Sequence, residues 1–158
     1  MNDILIYTDG AAAPTNPGPG GFAAIIVTPD GEQQVVSGGF RHTTNNRMEL
    51  YAAIATIETL SLRSSAEIIS DSGYLVRGYN EWLPDWRLRG WRKSNGKPAD
   101  NRDLWERLIA VCEGRNIRFT WIRRESDPLN IRADAIANEA TTRDDLPVDE
   151  GYLRRLAA

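Results

Sequence analysis

Ile4-Leu5-Ile6-Tyr7-Thr8-Asp9-Gly10 and Glu67-Ile68-Ile69-Ser70-Asp71 read as short apolar strands that each end on a carboxylate. A run as apolar as the first belongs in the middle of a sheet, covered on both faces. Before the second lies Met48 to Leu60, rich in Ala, Leu and Ile and apolar around most of its circumference, which predicts a buried helix. A strand–helix–strand unit of this length returns parallel, through a right-handed crossover. If the two strands are neighbours, Asp9 and Asp71 share a C-terminal sheet edge, where open α/β sheets place their sites. A carboxylate there is costly to bury unless a cation or hydrogen bonds meet it.

Working outward, Ala11 to Gly21 is rich in Pro and Gly and predicts a loop. Phe22 to Thr28 and Gln33 to Phe40 predict strands joined by the turn Pro29-Asp30-Gly31, completing an antiparallel meander with the first strand. Thr43-Thr44-Asn45-Asn46 offers consecutive helix caps, and Asn46-Arg47-Met48-Glu49 has capping-box spacing with Asn46 as the cap. Further on, Ser72–Asn80 and Glu81–Arg89 predict two helices, Asn101–Cys112 a third and Asn130–Thr141 a last one, with a strand over Asn116–Arg123. From about residue 143 the charged tail is expected to be loosely packed and flexible.

The 158 residues, 41% hydrophobic and 26% charged, fit a single domain over 1–158 with a substantial core. The net charge of −3 announces no nucleic-acid partner, and the distribution is the stronger hint: Trp86 to Lys97 carries five basic residues and no acidic one. Outside that stretch, 14 basic residues face 22 acidic ones, so a basic arm (about 82–100) stands on an acidic body. Cys112 is the only cysteine, which excludes an intrachain disulfide and a cysteine-rich metal site. The N-terminus lacks a signal-peptide pattern and no run reaches membrane-spanning length, so a reduced cytoplasmic setting without membrane contact is expected.

Four acids stand out by position: Asp9 and Asp71 at strand ends, and Glu49 and Asp134 near helix starts. Each alone has an ordinary structural explanation, because acids complement the positive end of a helix. Convergence shifts the balance. Clustered carboxylates repel, and divalent cations make such a cluster tolerable at neutral pH. Oxygen-only ligands suit Mg2+ or Mn2+.

Tyr7-Thr8-Asp9-Gly10, Asn16-Pro17-Gly18-Pro19-Gly20-Gly21, Thr43-Thr44-Asn45-Asn46-Arg47-Met48-Glu49-Leu50, Ser70-Asp71-Ser72, the Trp82–Trp91 segment, Asp103-Leu104-Trp105 and Arg132-Ala133-Asp134 together resemble bacterial ribonuclease HI (type 1 ribonuclease H). The resemblance runs from Ile4 to about Tyr152, and the Thr-Thr-Asn-Asn-Arg-Met-Glu-Leu block is its most specific part. It implies a ribonuclease H-like α/β fold: a mixed five-stranded sheet, strand one central, with helices on both faces. It implies an acidic quartet, Asp9, Glu49, Asp71 and Asp134, holding two Mg2+ ions at the scissile phosphate of an RNA strand paired to DNA. One ion would activate water and the other would stabilise the leaving 3′ oxygen, leaving a 5′-phosphate and a 3′-hydroxyl. The substrate contacts it implies are Asn16, Asn45, Asn46 and the backbone of Gly10 and Ala11 for the RNA 2′-hydroxyl. For the DNA strand they are a phosphate pocket at Thr44 and Asn101, with Trp82 on sugar. Arg87, Arg89 and Lys93 belong to a basic handle that meets phosphates without reading sequence, while Trp86 and Trp91 are expected to form its local core. A monomer is expected.

Many family members carry a histidine in the loop after the fifth strand. Here that loop is Arg123-Arg124-Glu125-Ser126-Asp127-Pro128, and the single histidine, His42, lies elsewhere and reads as a surface residue. The pattern resembles a subgroup in which glutamate replaces histidine, so Glu125 is expected to take its mobile role, with Asp127 as rival. Gly73 stands where a substrate-contacting glutamine is frequent. Other readings are a silent hybrid-binding module, another nuclease of the same fold, and a nucleotide-binding protein. The complete quartet disfavours the first, and the specific block with the basic arm disfavours the second. The prolines of the glycine loop lack the N–H groups a phosphate cradle needs, which disfavours the third.

Overall fold

The computed structural model describes residues 3–157. Its sheet has the order β3-β2-β1-β4-β5, with β1 (Ile4–Ala12), β2 (Gly18–Val27), β3 (Gln33–Thr43), β4 (Ser65–Ser70) and β5 (Asn116–Trp121). The β1/β2 and β2/β3 pairs are antiparallel, and β1/β4 and β4/β5 are parallel. The meander, the central first strand and the parallel return therefore all hold.

The glycine–proline loop is shorter than its composition predicts, reduced to residues 13–17. β1 runs on to Ala12, and β2 begins at Gly18 and includes Pro19, Gly20 and Gly21. The glycines are there for close approach rather than for turning. A Cβ on Gly20 would strike Thr43 and Met48, whereas one on Gly21 would strike the Ala137 carbonyl. Successive strand residues face opposite sides of a sheet, so α1 (Asn45–Ile57) and α5 (Pro128–Ala140) cover opposite faces of β2. Gly10 plays the same part on β1, where a Cβ would lie 2.5 Å from the Met48 carbonyl carbon. Gly10→Ala is expected to destabilise the protein by about 1–3 kcal/mol, because backbone, not a flexible side chain, would have to move. Denaturant unfolding of the two proteins measures this.

Helix α1 begins earlier than its apolar run suggests. Thr44 is the N-cap, its hydroxyl accepting from the Arg47 amide at 3.2 Å. Asn46 is therefore not the cap, and Glu49 lies beyond the first turn, outside any capping box. From Gly73 to Leu88 the chain stays helical, as α2 (Gly73–Arg77), a π-helical turn (Gly78–Trp82) and α3 (Leu83–Leu88). The break expected near Asn80 is absent. Gly78 gives Trp105 the room for this, since any Cβ there would meet the indole. Helix α4 (Arg102–Cys112) packs Leu104, Trp105 and Leu108 into a core with Ile6, Leu50, Ile54, Ile68, Leu75 and Trp86.

The tail is not loosely packed. Leu146, Asp149 and Tyr152 are buried, and Glu150–Ala157 forms helix α6. Residues 1, 2 and 158, the ends of the expected single domain, lie outside the described residues. Among those described, no helix is long and apolar enough to cross a membrane.

Candidate active site

Tyr7 pairs with Ile69 in the β1/β4 register. Two residues on, at Asp9 in β1 and at Asp71 just past the end of β4, the parallel arrangement brings these acids to one edge. Glu49 arrives from the second turn of α1, held over Gly10 by the close approach described above. One carboxylate oxygen from each of Asp9, Glu49 and Asp71 lies within 4.8 Å of the others. Asp134 joins the same cleft from the second turn of α5 but stands at its rim, half-buried, accepting from Asn138 Nδ2 at 3.2 Å. Neither Glu49 nor Asp134 occupies a first helical turn, so the helix-end explanation of these two acids falls away.

Asp9 and Glu49 are buried, and each has one carboxylate oxygen without any hydrogen-bond partner. Burial, reinforced by neighbouring acids, raises the Asp9 carboxyl to about 7. Glu49 is pushed well above the carboxylate range for the same reasons, burial first and Asp9 second; a hydrogen bond from the Gly10 backbone opposes this without cancelling it. Orphaned, buried carboxylate oxygens within one ion's reach fit a hard divalent cation, which would satisfy the free lone pairs and offset the repulsion.

The cleft wall collects the contacts expected for the RNA 2′-hydroxyl: Gly10, Ala11, Asn16, Asn45 and Asn46 line it. Asn16 and Asn45 brace each other, Asn16 Nδ2 donating to Asn45 Oδ1 at 2.8 Å while the Asn45 amide donates to Asn16 Oδ1 at 3.1 Å. Thr44 and Asn101 share an adjoining concavity with these asparagines. Trp82 and Lys93 line a separate hollow beside Trp86. Trp86 is buried and Trp91 half-buried under the Arg102 guanidinium, which makes them local core as expected. Arg87 and Arg89 are exposed on α3 and just past it, the latter paired with Asp85 at 3.0 Å.

The loop after β5 sends Arg124, not Glu125, into the cleft. Glu125 is exposed at φ 60°, its amide donating to Asn130 Oδ1 at 3.0 Å. The rival Asp127 is engaged elsewhere: it caps α5 by accepting from the Leu129 amide at 2.8 Å, and it also accepts from the Tyr7 hydroxyl. Sequence reading missed three neighbours of the acids. Asn130 is buried and donates to Asp71 at 3.4 Å, Asn138 braces Asp134, and Arg124 supplies a cation. The Arg-Arg pair in a loop beside an acid cluster was the available signal for the last. His42 is exposed and packs beside the Tyr152 ring.

A family model described as RNase H matches residues 1–142. The ribonuclease H of Desulforamulus reducens is 41% identical over 151 residues, 94% of each chain. That of Thiobacillus denitrificans is 44% identical over 137 residues, covering 86% of this chain and 91% of the other. Among solved structures, LC9-RNase H1, described as a type 1 RNase H with the type 2 active-site motif, aligns with a TM-score of 0.73 at 25% identity, over all of this chain and 83% of its own. LC11-RNase H1, solved in complex with an RNA/DNA hybrid, aligns with a TM-score of 0.68 at 30% identity, over 88% of this chain and 96% of its own. With its sheet order, its acid cluster and these matches in agreement, the chain belongs to the RNase H family.

Proposed function

We propose that this chain is an Mg2+-dependent endoribonuclease, with Mn2+ as a substitute, that hydrolyses the RNA strand of RNA–DNA hybrids and leaves 5′-phosphate and 3′-hydroxyl ends. The observation that carries this reading is the trio of Asp9, Glu49 and Asp71 at the edge of the central strands, with a buried, unpartnered oxygen on each of Asp9 and Glu49. Two divalent cations held by these residues and Asp134 would supply a water ionised near neutral pH and neutralise charge on the leaving oxygen. Asp9, on the most central strand, is the best placed to face both.

The chain's other groups bind and orient. Short polar side chains at Asn16, Asn45 and Asn46, with the backbone of Gly10 and Ala11, suit a 2′-hydroxyl in a shallow minor groove. The mutual brace between Asn16 and Asn45 keeps them in place without substrate. Thr44 and Asn101 take a phosphate of the DNA strand, Trp82 packs on its sugar, and Arg87, Arg89 and Lys93 steer the duplex by charge. Incubating labelled hybrid with and without Mg2+, and identifying the new ends, tests the reading. Equal cleavage of single-stranded RNA, or undiminished cleavage in chelator, would refute it.

Arg124 and Glu125 divide the loop's work. A cation in a cleft of carboxylates suits an incoming phosphate, and an exposed carboxylate suits proton transfer or ion exit. Arg124→Gln is expected to lower kcat/KM by about tenfold or more, the worth of one charge-assisted hydrogen bond to phosphate. Glu125→Gln is expected to act on kcat alone. Steady-state kinetics of both variants separates the roles, and full activity of Glu125→Gln would end its assignment.

A further inference from the structure

Helix α6, built from a tail that composition marks as loose, reaches the concavity of Thr44 and Asn101. Its Arg155 donates from Nη1 to Asn101 Oδ1 at 3.1 Å and pairs with Asp100 at 3.4 Å. The same Asn101 oxygen accepts from the buried Arg47 at 3.3 Å. Two guanidinium donors thus claim the carbonyl end of the amide. The nitrogen end is left to Tyr74, whose hydroxyl takes one of its two protons at 2.9 Å. Asn101 is itself buried and sits in the left-handed region at φ 61°. Its amide is therefore oriented before any ligand arrives, with one proton to spare. Thr44 is in a matching state: its hydroxyl oxygen accepts from the Arg47 amide as the α1 cap, which leaves its own proton free to donate.

The geometry points to Arg155 as a phosphate-binding residue, its guanidinium joining the Thr44 hydroxyl and the Asn101 amide in a clamp on one phosphodiester of the uncut DNA strand. This rests on the hybrid-cleaving function proposed above. Arg155 acts twice. It offers an exposed guanidinium beside two neutral donors, the fork geometry suited to phosphate oxygens. It also pairs with Asp100, whose carboxylate would otherwise repel the incoming strand at the same concavity.

The test uses the full chain. The metal-free protein is titrated with hybrid in chelator at several salt concentrations, and steady-state kinetics are run in Mg2+. Arg155→Gln is expected to raise both KM and the metal-free Kd by about three- to tenfold, with kcat nearly unchanged. The slope of log K against log salt should shrink by about 0.9, the share of one phosphate contact. Arg155→Lys should recover only part of the loss, since it restores the charge but not the fork, and Asp100→Asn should tighten binding. If Gln and Lys variants lose affinity equally and share a lowered Tm, Arg155 is a structural prop and the proposal fails. If wild type cleaves hybrid and Arg155→Gln matches it in KM and salt slope, the proposal alone fails. If wild type neither binds nor cleaves hybrid, the functional reading falls and takes this one with it.

Discussion

Asp9→Asn is expected to lower hybrid cleavage by about three orders of magnitude or more, and at the same time to stabilise the metal-free protein at neutral pH. On the proposed reading, the first effect follows from removing a charged oxygen that would hold a cation at the centre of the site, where cation-based stabilisation of a transition state supplies several kcal/mol at about 1.4 kcal/mol per tenfold in rate. The second follows from burial. The Asp9 carboxyl is raised to about 7 in the fold, against about 3.9 in an unfolded chain. Between those values the native state holds the proton more tightly than the unfolded state, so stability falls as pH rises from about 4 through about 7. Glu49 acts in the same direction. An amide at position 9 carries no charge and can donate to Glu49. At pH 7.5 without metal the variant should gain on the order of 2–4 kcal/mol, seen as roughly 5–10 °C in Tm. At pH 4 the two proteins should nearly coincide. Millimolar Mg2+ should narrow the neutral-pH gap by binding the native wild type. Thermal scans across pH, with and without Mg2+, check each step. A wild type whose Tm rises from pH 5 to 7.5 without metal, by comparison with the variant, would overturn the account.

Arg47→Met is expected to be the most destabilising single substitution outside the hydrophobic core, at about 3–5 kcal/mol. The Arg47 guanidinium is buried and grips Asp149 through Nε at 2.8 Å and Nη2 at 3.0 Å, and Asp103 through Nη1 at 2.9 Å and Nη2 at 2.7 Å. Thr43 and the Tyr152 amide also donate to Asp149. This one cation ties β3, α1, α4 and α6 together, and its loss strands a buried carboxylate. Burial pushes the Asp149 carboxyl up, but the bonds from Arg47 and Thr43 outweigh it and hold the group below its ordinary value. Its contribution to stability is therefore present above about pH 4 and disappears as acid protonates it in the fold. The deficit of Arg47→Met should accordingly shrink between pH 7 and pH 3. Asp103→Asn should cost far less, about 1 kcal/mol or under, because that carboxylate is 42% exposed. Denaturant melts of both variants at pH 7 and pH 4 provide the comparison; equal costs for the two would contradict it. Because Arg47 also holds the Asn101 oxygen, its loss should loosen the concavity where Arg155 sits.

Some of this molecule was legible from residue order because it depends on local pattern. Apolar runs mark Ile4–Tyr7 and Ile68–Ile69 as interior strands, and the buried character of Met48–Ile57 needs only its composition. The acids at Asp9 and Asp71 follow once the strands pair in parallel. Where reading failed, one residue type served two purposes. Gly20 and Gly21 look like turn formers, yet they are strand residues that let α1 and α5 approach the backbone. Thr44, Asn45 and Asn46 are all competent caps, and the placement of Arg47 beneath Asp103 and Asp149 coincides with Thr44 as the one used. The charged tail looked unstructured because its few apolar residues cannot fold alone. It is ordered by Leu146 and Tyr152 in the body and by an ion pair 102 residues distant along the chain.

The sequence by itself determined the family, the sheet and the four acids, since these rest on short motifs and on periodicities that each strand or helix carries within itself. The tertiary structure alone decided that three acids, two of them buried, form a tight trio with Asp134 at the rim, that Arg124 rather than Glu125 enters the cleft, and that Arg155 lines the neighbouring concavity. Those outcomes depend on which side chains meet across elements distant in the chain, and on how much water burial removes from each carboxylate. Neither is encoded in any local stretch of residues.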